Sequence, residues 1–223
     1  MPHPFDIASI PYGGCDMRTI THFGEHELHV RRSRFVCALA RVTTEAEARE
    51  FIAGRRRTHH DATHNCTAYV LGEHGDLTRS NDDGEPAGTA GLPMLDVLTR
   101  RELTGTVAVV SRYFGGVKLG AGGLVRAYGQ VVAETVDRVG VVERRAVVTV
   151  TVVADHALAG RLSRDLHASA YTPAGSRYGV RAELDVLVPE EELTAFEAWV
   201  ASAAGGRAET RRGPVGYVDA PIS

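Results

Sequence analysis

Ser111-Arg112-Tyr113-Phe114-Gly115-Gly116-Val117-Lys118-Leu119-Gly120-Ala121-Gly122-Gly123-Leu124 places five glycines within nine residues. On its N-terminal side, Thr106 to Tyr113 is rich in β-branched residues and reads as a buried strand. On its C-terminal side, Gly122 to Val139 reads as a helix, with Leu124, Tyr128, Val131 and Thr135 on one face at i, i+3 and i+4 spacing. The stretch is therefore a strand-loop-helix unit. Glycine enters positive φ freely and lets another backbone or a ligand approach closely. Free N–H groups at the following helix start favour an anion, and Arg112 and Lys118 add fixed positive charge. Arg112, Gly115, Gly116, Lys118, Gly120, Gly122 and Gly123 are the candidate anion- or phosphate-binding residues. The alternative is that the glycines only let strand and helix pack tightly. Neither Walker A spacing nor a complete dinucleotide fingerprint is present.

Outward from this unit, Glu25 to Val42 reads as two short strands. Thr44-Glu45-Ala46-Glu47 is a capping-box pattern that starts a helix running to about Arg57. Cys66 to Leu71 is a strand, Thr78 to Ala90 a polar loop, and Leu92 to Arg101 a helix with Pro93 in its first turn. A second unit starts near Glu143. It has a strand at Val147 to Val153, a helix at Ala157 to Ala170 and a hairpin over Tyr171 to Val188. A helix over Pro189 to Ala204 and a last strand over Arg207 to Val218 complete it. The order β-α-β-β-α-β is that of a ferredoxin-like sandwich.

The 223 residues suit two domains, and 43% hydrophobic residues supply ordinary cores. No apolar run approaches the ~20 residues that span a bilayer, so no membrane partner is expected. Residues 1–17, with Pro2, Pro4, Pro11, Gly13 and Gly14, read as a flexible leader without secretory character. Cys15, Cys37 and Cys66 are odd in number and unpatterned, which fits reduced thiols in a cytoplasm. The net charge is −3, but it is unevenly spread. From Arg31 to Arg57 eight Arg stand against three Glu, while from Glu73 to Glu102 three Arg stand against seven acids. Arg32, Arg34, Arg55, Arg56 and Arg57 form a candidate nucleic-acid patch. The bland alternative is a solvated face.

Two further groups carry chemistry. In His59-His60-Asp61-Ala62-Thr63-His64-Asn65-Cys66, His64 and Cys66 share a strand face and His60 can reach back, a zinc-like grouping that lacks a fourth ligand of convincing spacing. No metal is assigned there, and His64 is equally a candidate general base. In Ser80-Asn81-Asp82-Asp83-Gly84-Glu85-Pro86-Ala87-Gly88-Thr89-Ala90-Gly91, the three carboxylates could hold Mg²⁺ through water or accept protons. The same residue types also build plain turns. His64, Asp83 and Glu85 are the catalytic candidates, and no cofactor is called for.

Ser33-Arg34-Phe35, His60 to Tyr69, Ser80 to Leu95 and Val107 to Tyr128 together closely resemble the YigZ/IMPACT family. Its patterns S-x-F, H-x3-H with a following A-Y, D-D-G-E-P-x-G-T-A-G and R-Y-F-G-G-x-x-L-G-x-G-G-L-x-x-A-Y appear here intact and in order. The resemblance covers Arg18 to Val141. It implies an α+β, two-domain chain. Residues 18–141 would form a domain of the left-handed βαβ type seen in domain IV of elongation factor G. Residues 142–223, on topology alone, would resemble that factor's ferredoxin-like domain V. Eukaryotic relatives regulate the amino-acid-starvation response through a ribosome-associated partner. They carry a different extra domain, so that partner does not transfer. The same fold family includes small-molecule kinases. The expectation is a cytoplasmic, non-enzymatic regulator or accessory factor in translation or stress adaptation that binds RNA, the ribosome or another phosphate-bearing ligand. The alternative is an enzyme acting on a phosphorylated or nucleotide-like small molecule, with Lys118 and Arg112 holding the anion, Asp82, Asp83 or Glu85 holding Mg²⁺ or acting as base, and His64 shuttling a proton.

Overall fold

The structure, a computed structural model, describes residues 17–220. The leader assigned to residues 1–17 and the thiol of Cys15 lie outside them, except that Met17 opens the first strand, β1 (Met17–Ile20). The chain divides into two compact units, residues 17–143 and 144–219.

In the first unit, β2 (Gly24–Val30) and β3 (Ser33–Arg41) form a hairpin in which Val30 pairs with Ser33, so Arg31 and Arg32 alone make the turn. Both have positive φ, 47° and 76°. A two-residue turn of that type matches strand twist but favours Asn and Gly, so two arginines there are locally strained. Helix α1 (Glu45–Thr58) begins as the capping pattern requires, with the Thr44 hydroxyl accepting the Glu47 N–H at 3.2 Å. The Glu47 carboxylate reaches one residue further back and accepts the Thr43 N–H at 2.6 Å.

β4 (His64–Leu71) starts two residues earlier than expected and takes in His64. β5 (Leu77–Asn81) occupies the first part of the segment expected to be loop. Among the described residues it is an edge strand paired only to β4, and its Arg-Ser-Asn end is exposed, so it carries no apolar alternation. α2 (Gly91–Arg100), β6 (Thr106–Tyr113) and α3 (Ala121–Val139) complete the unit.

The sheet order is β2-β3-β6-β4-β5 with every pairing antiparallel. β3 and β4 therefore run parallel on either side of β6, and β5 and β6 run parallel on either side of β4. The crossover through α1 packs on one face with Val42, Tyr69, Val107 and Val109. The crossover through α2 packs on the other with α3, Phe35, Leu39, Cys66 and Val110. The strands of the two split βαβ units run antiparallel to each other, and the units step across the sheet in opposite directions and carry their helices on opposite faces, so they have opposite hands. One of the two is therefore left-handed, against the strong general preference for right-handed crossovers.

The second unit contains β7 (Val141–Ala154), which enters it across the boundary, α4 (His156–His167), β8 (Thr172–Tyr178) and β9 (Ala182–Pro189). A 3-10 turn (Glu190–Glu192) then leads into α5 (Leu193–Ala204), and β10 (Glu209–Ala220) follows. β7 pairs with β9 and β9 with β8, both antiparallel, and β10 also pairs with β7. Alternate residues Val148, Val150 and Val152 of β7 and Leu184, Val186 and Val188 of β9 form its core with Leu158, Leu162, Phe196 and Val200 from the helices.

Candidate functional site

Strand register gathers the distinctive segments of the first unit at one end of its sheet. Phe35 and His64 both pair with Arg112, Arg34 pairs with Tyr113, and Thr67 pairs with Asn81. The start of β3, the start of β4, the end of β6 and the end of β5 thus share an edge. The acidic loop (residues 82–90), the glycine loop (residues 114–120) and the Arg31-Arg32 turn all emerge from it.

Glu85 and Arg112 form the centre. Their side chains are 3% and 6% exposed, and Arg112 Nη1 donates to Glu85 Oε1 at 2.6 Å. The Tyr128 hydroxyl of α3 donates to the same oxygen at 2.8 Å. Arg112 Nη2 donates to the Ser33 hydroxyl at 3.3 Å, and the guanidinium lies 5.4 Å from the Phe35 ring and 5.5 Å from that of Phe114. Its Nε has no hydrogen-bond partner among the described residues. Such a buried, paired guanidinium is committed to holding the loops together, and it does not offer the free positive charge expected of it. Tyr128 and Ser33, read from sequence as helix-face and motif residues, are the missed polar members; a phenol two turns inside a glycine-led helix is the one signal for Tyr128.

The carboxylates expected to act on a ligand are each engaged. Asp82 accepts the N–H groups of Gly88, Ala90 and Gly91 at 2.8, 3.0 and 2.8 Å, which organises the loop and starts α2. Burial pushes its carboxyl up, but the three N–H donors outweigh this and hold it below the ordinary range. Asp83, with φ 47°, accepts the Asn65 N–H at 2.7 Å and Arg56 Nη2 at 2.9 Å. With Asp82 taken up by backbone donors, Asp83 by Asn65 and Arg56, and Glu85 Oε1 by Arg112 and Tyr128, the set is poorly suited to a divalent cation.

His64 is the partly exposed member, and it stands beside Glu85. Its Nδ1–H donates to the Asp83 carbonyl at 2.8 Å, leaving Nε2 3.8 Å from Glu85 Oε2. The Cys66 thiol donates to the Asp82 carbonyl at 3.0 Å and lies 3.3 Å from the Tyr128 oxygen. Burial pushes that thiol up to about 12, so it stays protonated and unreactive at neutral pH. His60 is exposed, away from Cys66 in the core. No group of three metal-ligating side chains converges among the described residues.

The basic segment divides by its spatial partners. Arg34 pairs with Glu27 at 3.3 Å, Arg55 with Glu25 and Arg56 with Asp83. Arg55 also lies within hydrogen-bond range of His59, which stands 2.8 Å from the Tyr113 hydroxyl. Arg32 and Arg57 are exposed without a partner among the described residues, as is Lys118 in the glycine loop. Gly115 joins two of these elements, since a Cβ there would sit 1.9 Å from the Arg32 carbonyl oxygen. Gly116 and Gly120 have φ of 83° and 75° with open space at the Cβ position, and Gly122 is likewise open. Phe114 is 46% exposed beside them. Arg31 and Arg126, not assigned to the site from sequence, are also exposed and without a partner among the described residues.

Comparison with known proteins covers both units. Residues 31–136 match the Impact N-terminal domain family, and residues 152–207 match a domain of unknown function, DUF1949. The IMPACT family member YvyE of Bacillus subtilis (strain 168) is 44% identical over 205 residues, 92% of this chain and 94% of that protein. The IMPACT family member YigZ of Escherichia coli (strain K12) is 46% identical over 102 residues, 45% of this chain and 50% of its own. A crystal structure described as that of an hypothetical protein superposes with a TM-score of 0.59 at 30% identity, covering 87% of this chain and 96% of that one.

Proposed function

The chain belongs to the IMPACT family, and we propose that its first unit is a binding module for RNA, free or within the ribosome, acting as an accessory factor in translation or stress adaptation. One observation carries the reading. At the loop end of the sheet Asp82, Asp83 and Glu85 are consumed by protein partners, while Arg32, Arg57 and Lys118 have none among the described residues. Free positive charge beside an exposed aromatic ring, Phe114, suits a single-stranded polyanion whose bases can stack. A buried cluster whose carboxylates are taken up by protein donors supports a rigid scaffold for that surface over a reacting centre.

The wider resemblance to elongation factor G domains IV and V belongs to the same proposal. Opposite-handed crossovers in the first unit support it, as does the pairing of β10 with β7, β7 with β9 and β9 with β8 in the second. A cytoplasmic site of action follows from such a partner. No helix of the described residues is long and apolar enough to cross a membrane.

The experiment is fluorescence anisotropy of a labelled single-stranded oligoribonucleotide against salt. Log affinity should fall with log salt at a slope of about −0.7 per phosphate neutralised. The double variant Arg32→Ala/Lys118→Ala should flatten that slope by about 1.4. Absence of binding at low salt overturns the proposal. The enzyme alternative draws on His64 Nε2 beside Glu85. Turnover of a phosphorylated metabolite that is lost in His64→Ala would replace the binding reading.

A further inference from the structure

We propose that a cavity between the β2–β3 turn and the first turns of α3 is a subsite for a phosphate monoester, held between Arg31 and Arg126. The proposal deepens the RNA-binding reading, on which its oligonucleotide form rests: the group would then be a terminal 5′-phosphate.

The cavity has a volume of about 200 Å³ and is lined by Val30, Arg31, Leu119, Gly123, Arg126 and Gln130 among others. That is below the roughly 300–1,000 Å³ of sites that enclose a whole small-molecule ligand, so it suits a head group rather than a complete cofactor. Both guanidinium groups lack ion-pair and hydrogen-bond partners among the described residues, and the lining contains no carboxylate. The acid one turn beyond Gln130, Glu134, is engaged by His26 Nε2 at 2.7 Å and by Gln130 Nε2 at 2.8 Å. Two uncompensated cations on one concave, partly apolar wall repel each other, and a bound anion removes that cost.

The charge count selects the anion. A phosphodiester carries one negative charge, whereas a monoester carries about −1.5 to −2 at neutral pH with a second pKa near 6. Two guanidinium groups match the second and can each chelate its oxygens in the planar, two-pronged manner of arginine. Placement agrees with this choice. Arg31 holds a positive-φ turn position that costs backbone energy for a residue with a long side chain. Arg126 lies in the second turn of α3 and lines the same cavity. Gly123 lets Leu119 close on the helix at this wall, because any Cβ there would press on Leu119 Cβ at 3.0 Å.

The test compares one oligoribonucleotide with a 5′-phosphate or a 5′-hydroxyl, plus ribose 5-phosphate, on the full chain by anisotropy and calorimetry. The 5′-phosphate form should bind at least about tenfold tighter at pH 7.5, and the preference should shrink below pH 6 as the monoester gains a proton. In Arg126→Gln, and in Arg31→Asn, which keeps a residue tolerant of the left-handed turn, the two oligonucleotides should bind alike. Equal affinity in the unsubstituted protein, or a preference that survives both substitutions, overturns the subsite and leaves the RNA reading standing. Saturable binding of ribose 5-phosphate that Arg126→Gln abolishes, with neither oligonucleotide bound, upholds the subsite and removes the RNA reading. Binding of none of the three probes overturns both.

Discussion

Glu85→Ala should be among the most damaging single changes in the first unit. It removes the oxygen that Arg112 Nη1 and the Tyr128 hydroxyl share at 2.6 and 2.8 Å, in a place where the pair is 3% and 6% exposed. Arg112 would keep only the Ser33 hydroxyl and two aromatic rings around a buried positive charge. Breaking a buried pair from one side costs about 3–5 kcal/mol, a large share of the 5–15 kcal/mol by which domains are typically stable. Glu85→Gln keeps the shape and both hydrogen bonds but loses the charge, so about 1.5–3 kcal/mol is expected. Glu85→Met combined with Arg112→Met should recover most of the loss, because it removes the stranded charge as well as the pair.

Urea unfolding measures the series, provided the probe reports the right unit. Trp199 is the only tryptophan and belongs to α5, so its fluorescence follows the second unit. Far-UV circular dichroism and hydrogen exchange of the β6 amides follow the first. A Glu85→Ala cost below about 1 kcal/mol, or a double variant no more stable than the single, would refute the view that this pair is a closed structural unit.

Gly115→Ala drives a Cβ to within 1.9 Å of a backbone oxygen and should cost about 3 kcal/mol or more, whereas Gly116→Ala meets open space and should cost about 1 kcal/mol for its positive φ; urea midpoints separate the two. Asp82→Ala removes the carboxylate that accepts three charge-assisted N–H bonds and should cost about 2–3 kcal/mol. Because the folded Asp82 carboxyl lies below its ordinary value of 3.8, its contribution is full above about pH 4 and is lost as pH falls through the folded value. Acid unfolding of the Asp82→Ala variant should therefore lack that component. Burial pushes both Cys37 and Cys66 up to about 12. In a Cys15→Ser background, an aromatic disulfide reagent at pH 8 should therefore find no thiol until denaturant is added, then two.

How much of this was legible in the residues depended on what each feature needs in order to show itself. β6 was readable to the residue, since a β-branched run between turns has one reading, and α3 was displaced by a single residue at its start. β5 was not, because an edge strand with polar, half-exposed residues looks like the loop beside it. The site motifs were visible as residues but not as pairings. A charge count along the chain treats Arg34, Arg55 and Arg56 as free, yet Glu27, Glu25 and Asp83 neutralise them from outside the counted segment. Sheet register decides which acids arrive, and register is a long-range property.

The Arg31-Arg32 turn is the sharper case. A two-residue hairpin normally announces itself with Asn-Gly; here two arginines stand at φ 47° and 76°, so no turn signal is written. Sequences that specify a fold agree with it locally almost everywhere, and the exceptions fall where some other demand prevails. At this turn the backbone gives up its preferred residues, and both side chains end exposed and without a partner among the described residues. The Arg32 backbone packs on Gly115, but burial of the side chains does not account for two arginines at the turn, since both are exposed. The ligand proposed above, drawing on their charge, would account for them.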